Sequence, residues 1–126
     1  MTNQEKWWGE AVAKAAKRLA LDGWVFTTKV SDQEYAPHSG YETAAHTNTN
    51  WLAKTATVTL VAKFADSNLH DLALHELCHV LLSEHLGLVL ETTDTMLSPG
   101  DKLVTDEIWW RSEESLVNAL ARLLKE

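Results

Sequence analysis

The segment His75-Glu76-Leu77-Cys78-His79 sets two imidazoles four residues apart, with a carboxylate directly after the first. On a helix, positions i and i+4 stand one turn apart on the same face. Two imidazoles placed this way can close on a single Zn²⁺ at about 2.0–2.1 Å. Glu76 is rotated roughly 100° from His75 around the helix axis. From there it reaches a water on the metal rather than the metal itself, which is the station of a general base in metal-assisted hydrolysis. With six His and eleven Glu in 126 residues, chance alone would produce an H-E-x-x-H pattern about 2% of the time, so the context must carry part of the argument. That context is an apolar helix: Leu69, Leu72, Leu74, Leu77, Val80 and Leu81 surround the motif.

A hydrolytic zinc site takes three protein ligands and leaves one position open. Three residues compete for the third place. His85 follows His79 by six, the spacing of H-E-x-x-H-x-x-G-x-x-H, and Met96 lies in what reads as a loop beyond it, suiting a Met-turn. The glycine that turns such a helix aside is replaced here by Leu82, and on an unbroken helix His85 points about 280° around from His75. The other two candidates are Glu113 and Glu114, at the head of the last amphipathic segment, where acids are also favoured by the helix dipole. Glu114 and Asn118 share a face, so Glu114 could bind the metal while Asn118 holds a ligating histidine. Glu114 is therefore preferred. An oxyanion donor is expected from among His38, His46, His70 and Tyr41. Cys78, the single cysteine, lies off the ligand face and reads as a buried, inert thiol.

These residues need a scaffold, and the sequence predicts an α+β one. Thr2 and Glu5 form a capping box ahead of a helix over 2–22, with Trp8, Val12, Ala15 and Leu19 as its apolar stripe and Gly23 as its stop. Trp7 then faces outward, as adjacent helical positions diverge; by the same reasoning Trp109 and Trp110 cannot both be buried. Residues 24–30 read as a strand, 31–40 as a loop and 41–50 as a weak strand. Residues 55–62 alternate Thr with Ala, Val and Leu, which predicts a half-buried antiparallel strand with an exposed Thr face, lying at the sheet edge. A helix capped by Asp66 or Ser67 follows and runs to about Gly87, then a loop over 88–104, then a helix starting at Thr105 or Ser112 and ending near Lys125. The expectation is one domain, residues 1–126, with a roughly three-stranded sheet.

HELCHVLL followed by EESLVNALARLL resembles the small gluzincin-type zinc peptidases of the ImmA/IrrE family and their phage-encoded relatives, over roughly residues 20–124. The resemblance implies a small zincin-like fold and a metallopeptidase activity. It implies zinc held by His75, His79 and Glu114, with Glu76 as the catalytic base. Aligning instead on the terminal Leu-Leu moves the third ligand to Glu113. The Phe that follows the Asn in that family's last helix is absent here.

The remaining composition is consistent with this. Eleven Lys and Arg against eighteen Asp and Glu give a net charge of −7 without a basic cluster, which argues against nucleic acid as a partner. No apolar run nears the ~20 residues of a membrane span, and the first ten residues lack a signal-peptide core. The expectation is a cytoplasmic zinc-dependent hydrolase acting on a protein or peptide substrate. The alternative is a zinc-stabilised protein-binding module of a phage or host regulatory complex, with little or no hydrolysis.

Overall fold

The computed structural model describes the backbone of residues 2–33, 44–96 and 99–125, and within these the side chains outside 87–99, 101–106 and 125. Helix α1 spans Asn3–Arg18. Its capping box forms as expected: Glu5 N–H donates to Thr2 Oγ1 at 3.2 Å, and Thr2 N–H donates to Glu5 Oε2 at 3.0 Å. The helix stops short of Gly23. Leu19 closes it and Ala20 takes the left-handed turn at φ 54°, which swings Leu19 and Leu21 into the core.

Three strands follow: β1 (Val25–Ser31), β2 (Ala45–Asn50) and β3 (Thr55–Val61). The sheet order is β1-β3-β2, with β1 parallel and β2 antiparallel to β3. The expectation of an edge strand at 55–62 is therefore overturned. β3 is central and paired on both sides, and among the described residues β2 lies at an edge. Alternation reports the polarity of a strand's two faces, whereas edges are defined in the hydrogen-bonding direction, at right angles to them. The Thr face is not open either: only Thr55 is exposed, and Thr59 and Val61 are buried.

Helix α1 packs on β1 and on the long helix α2 (Leu69–Met96), and α2 also packs on β2. Trp8, fully buried, donates from Nε1 to the Val58 carbonyl at 3.0 Å and ties α1 to the central strand. Trp7 is exposed, as its phase requires. Leu60 and Val58 are fully buried in this core. Leu60→Ala should cost about 2–5 kcal/mol, read as a lowered urea midpoint with an unchanged slope.

The cap of α2 is Asn68 rather than Asp66 or Ser67; its Oδ1 accepts from Asp71 N–H at 3.2 Å. The helix does not end at Gly87 but continues to Met96, and α3 spans Pro99–Lys125, so the loop expected over 88–104 is nearly all helix. A glycine inside a helix costs only about 1 kcal/mol relative to Ala, so Gly87 by itself does not end it. Pro99 opens α3, a position where its missing N–H is harmless. Met96 is thus helical, and no Met-turn forms there. Helix α3 packs chiefly on α2. A further brace fixes α2 to the sheet: Glu84 accepts from Trp24 Nε1 at 3.2 Å and pairs with Lys54 at 3.3 Å. No helix among the described residues is long and apolar enough to cross a membrane.

Candidate metal centre

Helix α2 carries His75 and His79 on one face, with ring centroids 5.2 Å apart. Leu77, Cys78 and Val80 turn the other way into the core, and Cys78 is buried and free. The motif is thus held by an apolar anchor on its far side, and the two imidazoles are left half-buried.

Glu76 faces the sheet. It is 6% exposed, and Thr47 of β2 donates from Oγ1 to its Oε1 at 2.9 Å. Its second oxygen, Oε2, lies 3.9 Å from His75 Nε2. Burial pushes the Glu76 carboxyl above the ordinary range, and this outweighs the opposing pull of His79, His75 and the Thr47 hydroxyl.

Helix α3 delivers both glutamates to the same place. Glu114 spans the imidazoles, with Oε1 2.7 Å from His79 Nε2 and Oε2 3.4 Å from His75 Nε2. Glu113 Oε2 lies 3.3 Å from His79 Nδ1. Hydrogen bonds from His75 and His79 hold the Glu114 carboxyl well below the usual carboxylate range. For His79, burial alone would lower the pKa. The hydrogen bonds to Glu113 and Glu114 and the charge of Glu76 prevail, so the pKa rises to about 10.

His75, Glu76 and His79 each offer a ligand atom, all within 4.8 Å of one another, so the group could hold a metal ion. Metal requires a neutral imidazole. An imidazole with a pKa near 10 is protonated at pH 7, so binding must expel that proton. Metal uptake at pH 7–8 should therefore release about one proton from His79, and affinity should climb as pH rises toward 10. Calorimetry in buffers of different ionisation enthalpy measures this directly. In Glu113→Gln the release should shrink, because one of the groups holding the proton is gone.

Of the residues singled out in the sequence, His75, Glu76, His79, Glu113 and Glu114 come together. His85 does not: α2 runs unbroken past Leu82, and His85 is exposed on it. Asn118 is exposed as well. Its backbone carbonyl accepts from Arg122 Nε at 3.3 Å, and the acceptor at His79 is Glu113 in its place. His70 is exposed at the start of α2. His46 is adjacent to Thr47 on β2, and so points to the opposite face of the sheet. His38 and Tyr41 lie outside the described residues. Thr47 is a site residue that the motif pattern does not single out. Its signal was the alternation Ala45, Thr47, Thr49, which puts it on the same face as buried Ala45. No protein-family model, characterised protein or solved structure matches this chain.

Proposed function

We propose that the chain is a zinc-dependent metallopeptidase of minimal gluzincin type, with zinc held by His75, His79 and Glu114. The observation that carries this reading is the bridging of both imidazole Nε2 atoms by one carboxylate from a different helix, at 2.7 and 3.4 Å. Ligands around a tetrahedral zinc with bonds of 2.0–2.1 Å stand about 3.3 Å apart; the 3.4 Å contact matches that spacing, and the 2.7 Å hydrogen bond would lengthen as a metal displaces the proton it shares. Glu76 is the weaker candidate for third ligand. It stands farther from His75 Nε2, at 3.9 Å, and one of its oxygens is already engaged by Thr47. Glu113 accepts at the other nitrogen of His79 and fixes the ring and its tautomer.

A zinc ion held there supplies a Lewis acid that polarises a scissile carbonyl and acidifies the attacking water. The protein's own part is proton handling and alignment. Thr47 pins Glu76 Oε1, which leaves Oε2 to take the proton of the attacking water and pass it to the departing amine. Burial raises the Glu76 pKa, which makes its carboxylate a stronger base. Strand β2, at the sheet edge and joined to Glu76 through Thr47, is where an extended peptide would pair by strand addition.

The test is cleavage of a peptide mixture by zinc-reconstituted protein, stopped by a chelator and restored by added zinc. Chelation should also lower the melting temperature. At a thousandfold excess of zinc over Kd the metal contributes about 4 kcal/mol, or roughly 10–20 °C for a domain of this size. Peptides left intact by a chain carrying one zinc would remove the reading.

A further inference from the structure

Two carboxylates flank the imidazole pair. Glu114 reaches it from α3, with oxygens 2.7 Å from His79 Nε2 and 3.4 Å from His75 Nε2. Glu76 reaches it from α2 itself, on the side of the sheet, and with His75 and His79 it offers ligand atoms all within 4.8 Å of one another. If both carboxylates bound, zinc would have four protein ligands, the closed set of a structural site. A hydrolytic site has three and keeps the fourth position for water or substrate. Which of the two this site is turns on where Glu76 is held.

Its holder is Thr47, whose Oγ1 hydroxyl donates to Glu76 Oε1 at 2.9 Å. Thr47 stands in register with fully buried Val58 of β3, two residues along from buried Ala45. Its backbone is therefore fixed by the sheet and not by the helix that bears the histidines, and its β-branched side chain is stiff at χ1. The other oxygen, Glu76 Oε2, is left 3.9 Å from His75 Nε2, outside the roughly 3.3 Å spacing of tetrahedral zinc ligands. We propose that Thr47 is a positioning residue that keeps the metal site open: its hydroxyl holds Glu76 back from the metal, and without it Glu76 becomes a fourth protein ligand and closes the site. The inference rests on the zinc reading above. Its physical basis is the burial of Glu76, which is 6% exposed. A buried carboxylate that loses its hydrogen bond needs another partner, and a cation between the imidazoles is the one within reach.

Two substitutions and two readouts that do not depend on turnover decide it. Thr47→Val keeps the branched shape and the strand preference and removes the hydroxyl, whereas Thr47→Ser keeps the hydroxyl. Zinc affinity is read by competition with a chromophoric chelator. The open position is read by adding azide to the cobalt-substituted protein, whose visible spectrum reports the ligand set. Thr47→Val should bind zinc about tenfold more tightly than the wild type and should lose the spectral response to azide, because Glu76 now fills the position azide would take. Thr47→Ser should behave as the wild type in both. Thr47→Val combined with Glu76→Gln should return to wild-type affinity and regain the azide response, since an amide is a poor substitute for a carboxylate on zinc; this double variant also carries no buried charge without a partner, so it folds even if Thr47→Val alone does not. Unchanged or weaker zinc binding in Thr47→Val with its azide response intact would overturn the inference. So would a Thr47→Ser variant that behaves like Thr47→Val, or a double variant that keeps the tighter binding or stays blind to azide. A wild-type chain that takes up neither zinc nor cobalt removes the metal reading and this inference with it, whereas metal uptake that is indifferent to Thr47 removes this inference alone.

Discussion

His79→Ala should leave a chain that retains no zinc through gel filtration, its affinity lowered about 10³-fold; His75→Ala should do the same. The magnitude follows from dividing the roughly 10–16 kcal/mol of a closed zinc site among its ligands. His79 is the sharper case, because three glutamates lie around it. Its Nε2 meets Glu114 at 2.7 Å, its Nδ1 meets Glu113 at 3.3 Å, and the charge of Glu76 acts on it. Removing the imidazole leaves those carboxylates facing one another without a cation. Glu114→Ala should come next, at about 10²-fold. Glu113→Gln should follow at about 10–100-fold, the usual scale for a group that orients a ligand without binding the metal. His85→Ala should change nothing, since His85 is exposed on an unbroken helix. Competition against a chromophoric chelator, with elemental analysis of the purified variants, gives the ranking. Wild-type affinity in Glu114→Ala, with loss in Glu113→Gln or Glu76→Gln, would show that the third ligand is misassigned.

What the sequence disclosed follows from how local each feature is. The i, i+4 pair and its apolar far side are properties of one helix, and one helix is what periodicity reads best. The Thr2–Glu5 capping box and the split of Trp7 from Trp8 are local in the same sense. The choice between Glu113 and Glu114 was open because it depends on how α3 lies across α2. Once packed, adjacent positions on one helix serve two nitrogens of one ring. The pairing of Glu114 with Asn118 was attractive as a face argument, yet the acceptor at His79 came from Glu113. Thr47 was missed because β2 reads weakly: Ala45 is its one fully buried residue, and the rest of its sequence is polar. The alternation over β3 marks a strand but carries no information on its place in the sheet. The Thr-rich face that suggested exposure is largely covered, with Thr59 and Val61 buried. Gly87 misled in the opposite way: a residue that often ends a helix was outweighed by the helix around it.

Glu76→Gln separates an enzyme from a metal-stabilised binding module. Gln keeps the size of Glu and can still accept the Thr47 hydroxyl hydrogen bond through its carbonyl, but it cannot take up a proton at neutral pH. The side chain is almost fully buried, and its pKa is raised by that burial, so replacing the charge with an amide removes a desolvation cost. The variant should therefore fold with undiminished thermal stability. Zinc binding should stay near wild type, because His75, His79 and Glu114 are untouched. Turnover should fall by about 10²–10⁴-fold, the scale of lost general-base catalysis. The decisive measurement is kcat on a peptide whose cleavage by the wild type is chelator-sensitive, with zinc content determined on the same samples. A peptidase loses kcat and keeps its metal. A binding module shows no metal-dependent cleavage in either form and unchanged partner affinity. Equal, metal-dependent cleavage by both forms would mean that the proton goes elsewhere.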